Sequence, residues 1–312
     1  MLGRKLVERL VRHGALGAAP IERLTVVDVG EARPPEAPFP VQVLVSDLAD
    51  RETAGQLVAE RPDVVFHLAA IVSGEAEADM EKGYRVNVGG VRSLLDAVAA
   101  VGGPYCPRVV FSSSIAVFGP PFPDVIGDDH RAAPQTSYGA QKAIGELLLA
   151  DYSRRGLLDG VALRLPTICV RPGPPNRAAS GFFSSIIREP LNGHEACLPV
   201  PDDTRHWFAS PRSGIDFLVH AATLDARLLR ERRCLTMPGV SATVAEEIAA
   251  LRSAAGDETV RLIRREPDET IERIVAGWPQ RFEPRRALEL GFSAEQSFDD
   301  IVRVYLEDEL GS

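Results

Sequence analysis

The sequence has no apolar run near the roughly 20 residues that span a bilayer, and its start lacks the charged, apolar, small-residue order of a signal peptide. Neither a membrane partner nor export is expected, which leaves the cytoplasm as the expected compartment. Cysteine is scarce. Cys106, Cys169, Cys197 and Cys234 stand far apart with no CxxC or Cys/His spacing, so neither a disulfide framework nor a zinc site is signalled, and no metal is expected. An excess of basic residues is also missing: 35 Lys and Arg face 44 Asp and Glu, for a formal net charge of -9. Nucleic-acid binding, which draws on clustered Lys and Arg, is therefore not expected. There is no internal repeat and no low-complexity tract. What remains is an ordinary globular composition, 45% hydrophobic and 25% charged over 312 residues. That is enough for one large domain or two moderate ones. A small molecule is the expected partner.

Through the first two-thirds, short β-branched runs alternate with longer helical patterns. The runs are Leu24 to Asp28, Val41 to Val45, Val64 to Leu68, Val109 to Ser112 and Val161 to Leu165. Strands that read apolar throughout are covered on both faces, so the rhythm predicts βαβ units and a doubly wound parallel sheet, a Rossmann-type α/β fold. Residues 1–170 are assigned to this dinucleotide-binding unit. From Arg171 the texture changes at Arg171-Pro172-Gly173-Pro174-Pro175-Asn176, and shorter elements follow, separated by Pro199, Pro201, Pro211 and Pro238. Residues 171–312 read as a smaller α/β substrate lobe, with helical patterns at Ala242 to Ala255 and Phe298 to Glu309 and some segments returning to the sheet. The proline-rich Ala32 to Pro40 reads as a surface loop. Residues 1–6 already look like an amphipathic helix, whereas a doubly wound fold normally opens with a strand. Gly3 then stands where the last glycine of a phosphate-binding loop would be, and the first strand and earlier glycines are expected to be absent.

Asp28 closes a strand at about the distance past Gly3 where an acidic residue accepts hydrogen bonds from adenosine ribose hydroxyls, which favours NAD over NADP. A simple strand-ending turn is the alternative. Asp47-Leu48 stands in the analogous place after the next strand, to hold the adenine edge or cap a loop. In His67-Leu68-Ala69-Ala70, the small residues let backbone approach a cofactor at the carboxyl edge of the sheet, while His67 reads as a packed histidine. Asn87, on a long helical pattern, offers an amide to brace that edge. The strongest local signal is Tyr138-Gly139-Ala140-Gln141-Lys142, preceded by Ser112-Ser113-Ser114 at a strand end. Residues four apart share a helix face, so Lys142 is expected beside the Tyr138 phenol. Its charge is expected to lower a pKa ordinarily near 10. Tyr138 then acts as a base, and Ser114, or Ser113 as second choice, fixes the substrate oxygen.

Asp28, the His67 tetrapeptide, Asn87, Phe111 to Ser114, Tyr138 with Lys142, and Leu163-Arg164-Leu165-Pro166 together resemble the extended short-chain dehydrogenase/reductases, the NAD-dependent epimerase/dehydratase family. The resemblance covers essentially the whole chain. It implies NAD as cofactor, Ser114, Tyr138 and Lys142 as catalytic residues, and a homodimer. On the same basis it implies cofactor contacts from Gly3, Asp28, Asp47, Leu48, Leu68, Ala69, Ala70, Asn87, Tyr138, Lys142 and Pro166. More narrowly, residues 67–77 and 164–173, and Arg205-His206-Trp207 with Ser210-Pro211-Arg212, resemble the D-erythronate dehydrogenase branch. That implies oxidation of the C2 hydroxyl of a four-carbon sugar acid to 2-oxo-tetronate. Arginine forks bind carboxylates bidentately, which makes Arg171 and Arg212, with Arg205, candidate anchors, against the alternative of surface or interlobe arginines. Ser73 is a further substrate candidate, and Trp207 lines the cleft or packs the lobes. The competing activity is nucleoside-diphosphate-sugar epimerisation. Dehydration loses ground because Ile115-Ala116, not an acidic pair, follows Ser114. A cofactor-binding regulator without turnover is disfavoured by the presence of both Tyr138 and Lys142.

Overall fold

The β-branched runs become parallel strands where the sequence places them. In the computed structural model, which describes residues 1–31, 33–173 and 179–311, the first elements are α1 (Leu2–His13), β1 (Leu24–Asp28), β2 (Val41–Val45), α2 (Arg51–Ala59) and β3 (Val64–His67). They are followed by α3 (Gly90–Val101), β4 (Arg108–Ser114), α4 (Ser137–Arg154) and β5 (Asp159–Leu165). The later part adds β6 (Thr167–Ile168), α5 (Gly181–Leu191), β7 (Ala196–Leu198), β8 (Arg205–Ala209), α6 (Pro211–Thr223) and β9 (Cys234–Thr236). Then come β10 (Val240–Thr243), α7 (Val244–Val260), β11 (Ile263–Arg265), α8 (Glu269–Ala276) and α9 (Phe298–Tyr305), with shorter turns between. Ala32, and Pro174 to Asn176 of the expected breaker, lie outside the described residues.

Strands β9, β5, β4 and β3, in that order, form a four-stranded parallel sheet. Side-chain alternation along them builds two cores. Val109 and Phe111 face Leu95 and Val98 of α3 and Leu149 of α4. Val110, Val161 and Leu163 face Leu6 and Leu10 of α1 and Phe217 and Leu218 of α6. This two-sided cover is what the uninterrupted apolar strands require. The strands do not, however, form the single sheet the sequence suggests: β1 and β2 pair only with each other. Among the described residues no strand pairs with both β1 and β3, and residues of both line one cleft of about 2680 Å³. Leu24, Val64 and Phe66 pack from its two sides onto the core that α1 covers.

At Pro166 the chain passes from β5 into β6, and so from the large sheet into a three-stranded one in which β8 lies between β6, parallel, and β10, antiparallel. A separate core holds this lobe together, with Phe183, Ile186 and Ile187 of α5, Phe208, Ile248 and Leu251 of α7, and Phe298 and Ile301 of α9. The expected helix at Ala242 starts instead at Val244, because Thr243 and Glu246 form a reciprocal capping box and Ala242 still belongs to β10. Pro211 marks the boundary between β8 and α6. It opens α6 behind the Ser210 cap, a position where its missing N–H costs no helical bond. Segment β9 returns to the large sheet beside β5. No helix among the described residues is long and apolar enough to cross a membrane.

Candidate active site

Three consecutive serines end β4, and strand alternation sends their hydroxyls to different partners. Ser112 donates to the His67 carbonyl at 3.1 Å, and Ser113 donates to Glu146 Oε1 at 2.5 Å. Glu146 is itself clamped by Arg164, at 2.9 Å from Nε and 2.7 Å from Nη2. Ser113 is thus committed to a buried ion pair, and it is Ser114 whose hydroxyl reaches the Tyr138 phenol while accepting the Ala116 N–H at 3.1 Å. Opposite, Thr136 caps α4 by accepting the Gly139 N–H at 3.1 Å, which seats Tyr138 in the first helical turn. Gly139 allows the helix to come this close: a Cβ there would lie 2.1 Å from the Ala116 carbonyl oxygen.

Lys142 lies one turn beyond Tyr138 and is 2% exposed. Its ammonium donates to the Ser112 carbonyl at 2.7 Å and stands 5.6 Å from the Tyr138 ring centre. The sequence reading gives Lys142 the task of lowering the Tyr138 pKa, and the structure corrects this. Burial pushes the phenol up to about 12, held back by the Arg171 charge and the Ser114 hydrogen bond. Burial likewise pushes Lys142 down to about 8, against the pull of Glu146. Two desolvated groups side by side resist charge, and here Arg171 is the cation that bears on the phenol.

Gly3, Asp28, Asp47, Leu48, Leu68, Ala69, Ala70, Ser73, Ser114, Tyr138, Lys142, Pro166 and Arg171 all line the one cleft. At one end Asp28 is exposed at the close of β1, its Oδ1 accepting the Gly30 N–H at 2.9 Å within its own turn. The first turn of α1 lies close enough for Asp28 to act on the Met1 amine, and Gly3 faces Leu68 at ordinary contact distance. Asp47 is engaged by Arg85 at 2.5 Å and by the Ala49 N–H, which hold its carboxyl below the usual range. A free carboxylate for ribose hydroxyls, a helix N-terminus for pyrophosphate and an ammonium with a phenol at the far end fit a dinucleotide along this cleft.

Asn87 does not line it. It is buried, accepts the Ile71 N–H at 2.9 Å and donates to the Ile71 carbonyl at 3.2 Å and Gln141 Oε1 at 2.7 Å, tying the loop after β3 to α4. The amide thus braces the edge, as the sequence leads one to expect. The candidate anchors separate as well. Arg171 reaches the cleft, with Nε on the Ile168 carbonyl at 3.0 Å and Nη2 on the Ser180 hydroxyl at 2.6 Å. Arg212 stands apart, because the first turn of α6 turns it outward onto Asp308 and Glu307 at 2.6 and 2.8 Å. Arg205 bonds the Ser241 carbonyl, and Trp207 packs against Phe282 with its indole N–H on the Met237 carbonyl. The residue between them, His206, is the one that faces the cleft, together with Thr167 and Trp278. Period-two alternation along β8 is the signal that singles it out once its neighbours are seen to point away.

The family model described as NAD dependent epimerase/dehydratase family matches residues 1–208. A curated relative, the D-erythronate dehydrogenase of Cupriavidus necator, is 46% identical over 317 residues, spanning 98% of this chain and 95% of its own. The D-erythronate dehydrogenase of Haemophilus influenzae is 39% identical over 306 residues, spanning 98% and 96%. A crystal structure described as the nucleoside-diphosphate-sugar epimerase from Agrobacterium tumefaciens superposes with a TM-score of 0.95 at 57% identity, covering 99% of this chain and 92% of that one.

Proposed function

The chain belongs to the NAD dependent epimerase/dehydratase family, and from that premise we propose that it oxidises the C2 hydroxyl of a four-carbon sugar acid, D-erythronate, to 2-oxo-tetronate. The observation that carries this reading is Arg171: a guanidinium in the cleft, bearing on Tyr138, offers a short substrate a carboxylate anchor beside the reactive phenol. Two relatives spanning nearly the whole chain carry the name of that activity.

NAD held along the cleft supplies the hydride acceptor. Asp28 takes the adenosine ribose hydroxyls and repels a 2′-phosphate, and Leu68, Ala69 and Ala70 give the cofactor close backbone approach. At the other end Ser114 holds the substrate oxygen while Tyr138 removes its proton, as the C2 hydrogen departs with its bonding electrons and the carbonyl forms. A phenol held near 12 needs positive charge to act as base at neutral pH. The Arg171 charge acts in that direction, and the Lys142 ammonium stands one helical turn away, 5.6 Å from the ring centre. Ser73, at the start of a short helix lining the cleft, completes the substrate contacts. The same reading takes the enzyme as a cytoplasmic homodimer, with the outer face of α4, where Leu147 is 72% exposed, as its contact.

Arg171→Leu is expected to raise KM for the acid by about 10- to 100-fold, the worth of a charged hydrogen-bonded anchor, with KM for NAD little changed. Initial-rate kinetics in both substrates checks this, and an unchanged KM for the acid removes Arg171 as anchor. The Agrobacterium relative's description favours a second reading, epimerisation of a nucleotide sugar, in which the same Ser, Tyr and Lys serve a transient oxidation. The two differ in net redox.

A further inference from the structure

We propose that Trp278, set against His206, closes the substrate end of the cleft and limits the polyhydroxy acid to four carbons. The inference rests on the sugar-acid reading above and adds the residue that sets substrate length.

The wall is placed by a chain of neighbours. Tyr138, Arg171, Thr167 and His206 all line one cleft. His206 cannot move out of the way: its Nε2 is 2.7 Å from Thr167 Oγ1, and its ring lies parallel to Phe183 at 5.3 Å and edge-on to Phe208 at 5.3 Å. Trp278, just past α8, leans on that imidazole at 5.2 Å and 45° and packs on the core of the second lobe. Both rings line the same cleft as Tyr138 and Arg171. Burial pushes His206 down to about 3, so it stands there as a neutral ring and leaves the carboxylate to Arg171. A substrate pinned by its carboxylate, with C2 over the phenol, sends its remaining carbons along the pocket. A close-packed aromatic end yields little to extra carbons.

The test compares kcat/KM for D-erythronate with that for the six-carbon D-gluconate. In the wild type the ratio should strongly favour the four-carbon acid. Trp278→Ala should raise the relative efficiency on gluconate by about 10-fold or more, the usual effect of a methylene or two in a pocket. Trp278→Leu, which keeps an apolar anchor on the second-lobe core, should shift the ratio in the same direction and covers the case in which the alanine variant does not fold. A wild type that uses both acids equally overturns the wall, as does an unchanged ratio in a folded variant. A wild type inactive on every sugar acid instead overturns the functional reading on which the wall depends.

Discussion

Tyr138→Phe is expected to lower kcat by about 10²–10⁴-fold, the range general acid–base catalysis contributes, with NAD affinity nearly unchanged. The change removes one oxygen and leaves the ring that packs in the first turn of α4. The phenol is the group Ser114 reaches and the one on which Arg171 acts, so its loss takes the proton acceptor from the site. Steady-state rates and a direct NAD titration separate the two effects. Turnover within a few-fold of wild type would remove Tyr138 as the base.

A comparable loss is expected from a residue with no chemistry. Gly139→Ala inside most helices stabilises by up to about 1 kcal/mol, since glycine is the poorer helix former. Here the added methyl meets the Ala116 carbonyl oxygen at 2.1 Å, and that atom is backbone, unable to swing aside. Either α4 or the turn after β4 must retreat. Ala116 follows Ser114 by two residues and Gly139 follows Tyr138 by one, so the retreat parts the two hydroxyls. A displacement of about 1 Å at a reacting centre costs on the order of 10²-fold in rate. Overpacking is expected to remove about 1–3 kcal/mol of stability besides. Thermal unfolding alongside kcat checks both, and an alanine variant of normal rate and stability would contradict the close approach.

Much of this was legible from spacing. The strands at Leu24 to Asp28 and Val41 to Val45 follow from β-branched runs, and the shared face of Tyr138 and Lys142 follows from their separation of four. Ser114 and Ser113 were distinguishable only once the pleat sent Ser113 to Glu146, a partner 33 residues away. Arg212 was misplaced for a similar reason: its acidic partners are 95 and 96 residues distant, and no local pattern announces them. The raised pKa of Tyr138 was not legible, because desolvation is the sum of everything packed around the phenol. His206 was hidden by its surroundings, since a histidine between an arginine and a tryptophan acquires a direction only when β8 pairs with β6 and β10.

The most direct measurement of the central claim is net redox. With D-erythronate and NAD the enzyme is expected to accumulate NADH, followed by its absorbance, because the 2-oxo acid leaves and the hydride stays on the cofactor. UDP-glucose and UDP-galactose are expected neither to interconvert nor to yield NADH. Interconversion of the nucleotide sugars without net NADH, together with no reaction on any four-carbon sugar acid, would contradict the dehydrogenase reading and leave the epimerase in its place.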